Sequence, residues 1–99
     1  MKTFQDLRND LAKTDPELFI SLEIIGKLIA ARDRKKISQR ELSKISAIPQ
    51  KTISRIENGI DIPKIQTLIK LANVLDLEIT LIDKNDKLIR PQKDKIYNN

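Results

Sequence analysis

The spacing of apolar side chains along the chain predicts a mostly helical protein that ends in a short strand. Phe4, Leu7 and Leu11 recur at the three- and four-residue spacing of one helical face. Residues 77–82 instead alternate with the two-residue period of a strand. Apolar stripes between these segments predict four further helices, over about 15–35, 38–46, 49–58 and 63–75.

Capping residues and prolines set the predicted ends of these helices. Pro16 follows an acidic or hydroxyl cap, Asp15 or Thr14, in the first turn of the long helix. The next helix begins with a capping box in which Ser38 and Glu41 satisfy each other's backbone. Pro49 and Pro63 open the later helices, and Gly59 is suited to the left-handed conformation that ends one. Gly26 weakens the long helix, or lets another helix approach closely.

We therefore divide the chain into three regions. Residues 1–14 form an N-terminal helical extension, residues 15–83 form the helical domain with its strand, and residues 84–99 form a charged tail. No internal repeat or low-complexity segment complicates this division.

The predicted strand, in which Leu77, Ile79 and Leu81 share one face, lacks a second strand with which to pair. Its backbone donors and acceptors need partners. The same strand of a second copy is the simplest partner, which predicts a twofold dimer. A partner protein could supply the pairing instead. The remaining alternative is an extended segment that packs on the helices.

Composition narrows the class of protein. A chain of 99 residues favours one domain. Cys and His are both absent, which removes disulfides, thiolate ligands and the commonest general base and zinc ligand. We therefore expect no enzyme activity, no metal site and no cofactor. There is no apolar run near the roughly 20 residues of a membrane span and no signal segment, so we expect a soluble cytoplasmic protein.

The placement of polar and basic residues suggests a specific function. The net charge of +5 is compatible with a polyanionic partner. Gln39, Gln50, Lys51 and Arg55 lie on two short predicted helices joined by a tight turn, on surfaces that can face a polyanion. This arrangement predicts a helix-turn-helix that reads DNA. The alternative is an ordinary solvated polar face.

The region from about residue 24 to residue 75 resembles the Xre, or Cro/CI-type, helix-turn-helix family. The matching positions agree in order and spacing without an insertion: Gln39, Glu41, Leu42, Ile48, Thr52 to Gly59, Pro63, Thr67 and Leu68. The resemblance implies an all-α fold, a five-helix bundle that dimerises on operator DNA. It also implies a positioning helix at Ser38–Ser46 and a recognition helix at Pro49–Asn58.

The resemblance also implies roles for individual side chains. Arg and Lys suit the acceptors of guanine, and Gln suits adenine. The base-reading residues in the major groove would be Gln50, Lys51 and Arg55. The phosphate-contacting residues would be Gln39, Thr52 and Asn58, with Thr52 also able to reach a thymine methyl group.

Four charged residues complete the implied site. Lys35 and Lys36 are further phosphate candidates, although basic residues at a helix C-terminus also offset the helix dipole. Arg32 and Glu57 match a family ion pair that holds the first helix of the motif to the recognition helix.

The chain departs from the family pattern at three positions in and around the turn. Ala47 stands where glycine is usual, so we expect it to adopt a positive φ at a cost of roughly 1 kcal/mol. Ser43 replaces a small alanine, and Pro49 replaces a Ser or Thr cap. These departures affect the expected angle of the recognition helix.

The flanking segments resemble HigA-type antitoxins, which carry a helical extension before the motif and a short strand after it. That resemblance implies a protein that neutralises a small RelE/HigB-like ribonuclease toxin by direct contact. As a dimer, such a protein also represses its own operon. Phe4, Leu7 and Leu11 are the possible toxin contacts, unless they pack back on the helical body.

Two other functions remain open. One is a stand-alone Xre-family regulator, such as a phage-type repressor, without a toxin partner. The other is a protein-binding adaptor that uses the same fold without DNA. The short chain leaves little room for a sensor domain, so we expect no small-molecule effector.

Overall fold

The computed structural model describes residues 3–85 of the chain. These residues form five helices in the order α1 (Phe4–Thr14), α2 (Pro16–Arg34), α3 (Gln39–Ser46), α4 (Gln50–Glu57) and α5 (Ile65–Val74). The all-α class predicted from the sequence is confirmed for this part of the chain.

Helices α2 and α3 begin at capping residues predicted from the sequence. Helix α5 instead begins at Ile65, two residues after the predicted start at Pro63, and has no side-chain cap. Asp15 caps α2 by accepting a hydrogen bond from the Leu18 N–H at 3.1 Å. The reciprocal capping box of Ser38 and Glu41 opens α3, with distances of 3.0 and 2.7 Å. Pro49 precedes α4 and offers no side-chain cap. Each side-chain cap satisfies a backbone N–H that has no partner inside its helix.

A core of aliphatic side chains holds α2, α3, α4 and α5 together. Ile53 and Ile56 of α4 are 1% and 2% exposed, and both are fully enclosed by the other helices. The remaining members are Ile25, Leu28, Ala31, Leu42, Ile48, Leu71 and Leu75. Burying a side chain of this size stabilises the fold by about 1.5–3 kcal/mol. The recognition helix predicted from the sequence is therefore anchored through its inner face.

The turn between α3 and α4 is held by two serines near the end of α3. The Ile48 N–H donates to Ser46 Oγ at 3.1 Å, and Ser43 Oγ donates to the Ile48 carbonyl at 2.6 Å. Ala47 has a φ of 63°, as expected for a residue that replaces glycine. Both polar groups of the Ile48 backbone are thus satisfied inside the turn, and the serine at position 43 contributes directly.

Two other non-glycine residues, Lys36 and Asp76, also have positive φ values, of 55° and 60°. They follow α2 and α5, where the chain must reverse direction. Gly59, with a φ of 73°, ends α4 in the left-handed conformation predicted from the sequence. Gly26, in contrast, has no atom within 4 Å of the place of a side chain, so of its two predicted roles the close approach of another helix does not occur within residues 3–85.

The short strand expected at residues 77–82 does not form in the described single chain. A strand needs a neighbour with which to exchange backbone hydrogen bonds, and none of residues 3–85 pairs with this segment. Leu77 and Ile79 instead border a cleft against α2 and α5, while Leu81 is 97% exposed. Residues 3–85 contain five helices, which is consistent with the helix-turn-helix bundle that the resemblance implies. The tail beyond residue 85 lies outside the described residues.

The N-terminal helix α1 packs on α2 without burying any of its own residues. Arg8 forms an ion pair with Glu23 and lies 5.4 Å from the centre of the Phe19 ring. Phe4 and Leu7 remain 76% and 54% exposed. The extension is thus attached through the ion pair and the cation–π contact of Arg8, while Leu11 is half-buried and Phe4 and Leu7 stay largely uncovered.

Candidate nucleic-acid interface

The outer face of α4 carries the three residues predicted to read bases. Gln50, Lys51 and Arg55 are all exposed, while Ile53 and Ile56 on the opposite face enter the core. This division follows from the helical repeat, which separates the two sets around the axis. The structure therefore presents the polar set together on one accessible surface.

The pair formed by Arg32 and Glu57 fixes α4 to α2. Arg32 donates through Nε to Glu57 Oε2 at 2.7 Å and through Nη2 to Oε1 at 2.8 Å. Its Nη1 group also donates to the Ile37 carbonyl at 3.0 Å. The two side chains are only 15% and 10% exposed. The ion pair expected from the family resemblance is present as a bidentate contact.

Gln39 takes part in the same network. Its Nε2 group donates to Glu57 Oε1 at 2.9 Å. Burial alone would raise the pKa of Glu57, but hydrogen bonds from Arg32 and Gln39 outweigh it and lower the pKa below 4.5. A side-chain amide carries two N–H donors, so a second donor of Gln39 remains outside this contact with Glu57.

The other predicted phosphate contacts lie in different surroundings. Thr52 is half-buried beside the loop that follows α4, and the Asn58 amide approaches Ser54 Oγ at 3.4 Å. Lys35 forms an ion pair with Asp76, which ties the end of α2 to the end of α5. Lys36 is exposed. Lys35 therefore has a structural partner that the sequence pattern did not indicate.

Asp61 is the residue near the interface that the sequence analysis missed. Arg55 donates to it through Nε at 2.7 Å and through Nη2 at 3.1 Å. Hydrogen bonding from Arg55 lowers the pKa of Asp61, and the same contact raises the pKa of Arg55. The sequence does contain one sign of this contact. Asp61 follows Gly59, the residue that ends α4, by two positions, and this spacing brings its carboxylate beside the last turn of the helix.

Metal and membrane features are also absent from residues 3–85. None of the acidic side chains described there gathers into a group that could hold a metal ion. None of the helices is both long and apolar enough to cross a membrane.

Comparison with known proteins identifies the family. Residues 28–82 match the family model described as helix-turn-helix. This match covers more than half of the chain, which therefore belongs to the helix-turn-helix family. The matched segment includes all of α3, the turn and α4, where the predicted DNA-contacting residues lie.

Two curated relatives are HTH-type transcriptional regulators by name. The chain is 48% identical over 61 residues to the regulator y4dL of Sinorhizobium fredii, covering 62% of this chain and 31% of the relative. It is 33% identical over 63 residues to a regulator of Haemophilus influenzae, covering 64% of each chain. The chain thus spans less than two thirds of either relative. No solved structure shows a significant match.

Proposed function

We propose that this protein binds double-stranded DNA in a sequence-specific manner and represses transcription. The observation that carries the proposal is the outer face of α4, where Gln50, Lys51 and Arg55 are exposed on a helix whose inner face is locked into the core. A helix so anchored can enter the major groove as a rigid reader. The names of the two relatives support the same function.

In the proposed complex, base reading and phosphate contact fall to different residues. Arg55 and Lys51 donate to the acceptors of guanine, and Gln50 pairs with adenine. The phosphate contacts come from Gln39, Thr52, Asn58, Lys35 and Lys36. Phosphate contacts fix the orientation of the protein on the duplex, whereas base contacts supply the sequence preference. Glu57 supports both sets because it holds Gln39 and anchors α4.

We further propose that the protein acts as a homodimer on a near-palindromic operator. Two recognition helices would then lie one DNA turn apart, roughly 34 Å. Residues 77–82 would pair with the same segment of a second copy through Leu77, Ile79 and Leu81. The support is that Leu81 is 97% exposed and the segment forms no strand within the described single chain.

Arg55→Ala and Gln39→Ala test the division of roles. An operator duplex is first selected from a random pool with the wild-type protein, and each variant is then titrated against it and its single-base variants. Arg55→Ala is expected to remove discrimination at particular base pairs, by roughly 1–3 kcal/mol. Gln39→Ala is expected to weaken binding to every duplex about equally, because a phosphate contact carries no sequence information.

The same titrations include a control for non-specific attraction. Affinity for a mixed-sequence duplex should fall steeply with salt, since each neutralised phosphate contributes about −0.9 to the logarithmic slope. A flat, millimolar response would instead favour the adaptor function. If both variants lost the same affinity on every sequence, the assigned roles would be wrong even though DNA binding held.

We also propose that the protein is an antitoxin that neutralises a small RelE/HigB-like ribonuclease toxin. The support is the groove between α1 and α2, of about 480 Å³, lined by Phe4, Leu7 and Leu11 together with Phe19, Leu22 and Gly26. Gly26 leaves the floor of this groove open. An exposed apolar surface of this kind commonly marks a protein contact.

Tagged purification from the native cell, followed by native mass spectrometry, tests the antitoxin proposal. A stoichiometric small partner is expected with the wild-type chain and should be lost with Leu7→Glu. Ile20→Glu is the matched control, because Ile20 is equally exposed, at 56% against 54%, but lies outside the groove. A bare homodimer that still binds its own promoter would make the protein a stand-alone regulator.

A further inference from the structure

The ion pair of Arg55 and Asp61 lies at the end of the proposed recognition helix. Arg55 Nε and Nη2 donate to the two carboxylate oxygens at 2.7 and 3.1 Å. The side chains are 44% and 45% exposed, and ion pairs in such surroundings add little to stability. The main effect of this contact is therefore on the orientation of the Arg55 side chain.

The backbone places Asp61 beside Arg55. Gly59 turns the chain with a φ of 73°. After this turn, the N–H groups of Ile60 and Asp61 both donate to the Arg55 carbonyl, at 2.9 and 3.3 Å. The Asp61 side chain thus starts from a residue that is already bonded to the backbone of Arg55. The pairing is a local property of the helix end, and it does not depend on a distant part of the fold.

We propose that Asp61 is a positioning residue that sets the base specificity of Arg55. The inference rests on the proposed base-reading role of Arg55. Asp61 holds one side of the guanidinium group and leaves its outer end free to meet the O6 and N7 atoms of a guanine. Asp61 itself touches no base.

The donors of the guanidinium group support this assignment. An arginine has five N–H donors in a fixed plane, and Asp61 engages the Nε donor and one Nη2 donor. Both Nη1 donors and the second Nη2 donor remain outside this contact. The free end of the plane is a fork that matches the two guanine acceptors in the major groove.

Holding the arginine in this way has two opposing effects on binding. A fixed guanidinium loses less side-chain freedom when it meets the base, and it is prevented from turning towards a phosphate. The negative charge of Asp61, however, repels the DNA backbone. Asp61 therefore raises the preference for guanine while it lowers the affinity for DNA of any sequence.

Asp61→Asn tests this proposal, with Arg55→Ala and the double variant completing a cycle. Each protein is titrated against the selected operator and against the same duplex carrying 7-deazaguanine, which lacks the N7 acceptor, at each guanine in turn. The wild-type protein should lose about tenfold in affinity at one guanine, and Asp61→Asn should lose only about two- to threefold there. Asp61→Asn should also bind a mixed-sequence duplex more tightly.

The control variant is Asp83→Asn, which makes the same change of charge at a residue that bonds only to the Asn85 N–H among the described contacts. It should keep the tenfold loss at the guanine. In the Arg55→Ala background, Asp61→Asn should have no effect on the response to 7-deazaguanine, because the positioning residue acts through the arginine.

Three results would overturn the inference, and they are distinguishable. If Asp61→Asn kept the tenfold loss while Arg55→Ala abolished it, Arg55 would read the base without help from Asp61. If Asp61→Asn changed the response equally with and without Arg55, its effect would be one of charge alone. If Arg55→Ala kept the tenfold loss at that guanine, the proposed base-reading role would fail as well.

Discussion

Replacing Glu57 with alanine is expected to lower the free energy of unfolding by about 2–3 kcal/mol. The change leaves the Arg32 guanidinium, which is only 15% exposed, without its carboxylate partner. It also removes the acceptor of the Gln39 amide. Denaturant unfolding followed by circular dichroism measures the loss.

Glu23→Ala is the matched control for this experiment. Glu23 also pairs with an arginine, Arg8, but the two side chains are 41% and 33% exposed. The control should therefore cost less than about 1 kcal/mol. Equal losses of stability in the two variants would contradict the conclusion that the Arg32–Glu57 pair stabilises the fold more than the exposed Arg8–Glu23 pair.

The pH dependence of stability provides a second measurement on Glu57. The pKa of Glu57 is lowered in the folded protein, so its contribution is present above the ordinary value of 4.5. That contribution is lost as the pH falls through the lower, folded value. The difference in stability between the wild type and Glu57→Ala should therefore narrow below about pH 4.5. A gap that stayed constant across this range would argue against an ionised Glu57.

Ile53→Ala is expected to lower the free energy of unfolding by about 3–4 kcal/mol. Ile53 is 1% exposed and its side chain is enclosed by the other helices. The substitution removes buried carbon atoms and leaves a cavity beneath α4, which the surrounding helices can only partly fill. The same unfolding assay measures the effect.

Ile65→Ala makes the identical chemical change at the start of α5, where the side chain is 68% exposed. Its effect should remain within about 0.5 kcal/mol. A large loss at Ile65 would show that this side chain is covered in solution, as it would be by a second copy. A small loss at Ile53 would contradict the anchoring of α4 by the core.

The sequence predicted the helices well because their ends are encoded locally. Ser38 and Glu41 form a capping box within four consecutive residues, and Gly59 takes the one conformation that glycine favours at a helix end. Asp15 caps α2 by accepting a hydrogen bond from Leu18, only three residues further along the chain. Such signals depend on near neighbours in the chain, so they can be recognised without knowledge of the tertiary structure.

The sequence could not predict features that depend on a partner distant in the chain or in another molecule. The alternation at residues 77–82 is typical of a strand, yet pairing depends on a second edge that the described single chain lacks. The Lys35 contact with Asp76 joins positions far apart in sequence. The contact of Asp61 with Arg55 could not be predicted from helical periodicity, because Asp61 lies in the loop after Gly59, beyond the end of α4.

The structural surroundings of the residues proposed to face DNA could be predicted from the sequence only in part. Exposure of Gln50 and Lys51 follows from helical periodicity once the core positions are known. The hydrogen bonds of Arg55 with Asp61 and of Gln39 with Glu57 could not be predicted from helical periodicity. They depend on how the chain folds outside each residue's own helix. The roles of these residues on DNA remain predictions for the binding experiments above.

The positive φ angles of Lys36, Ala47 and Asp76 affect the local stability of three helix ends. Left-handed backbone costs roughly 1–2 kcal/mol for a residue with a side chain, though aspartate tolerates it better. Three helix ends thus retain strain that glycine would relieve. Backbone strain therefore offsets part of the stability that the hydrogen bonds and the ion pair at these turns provide.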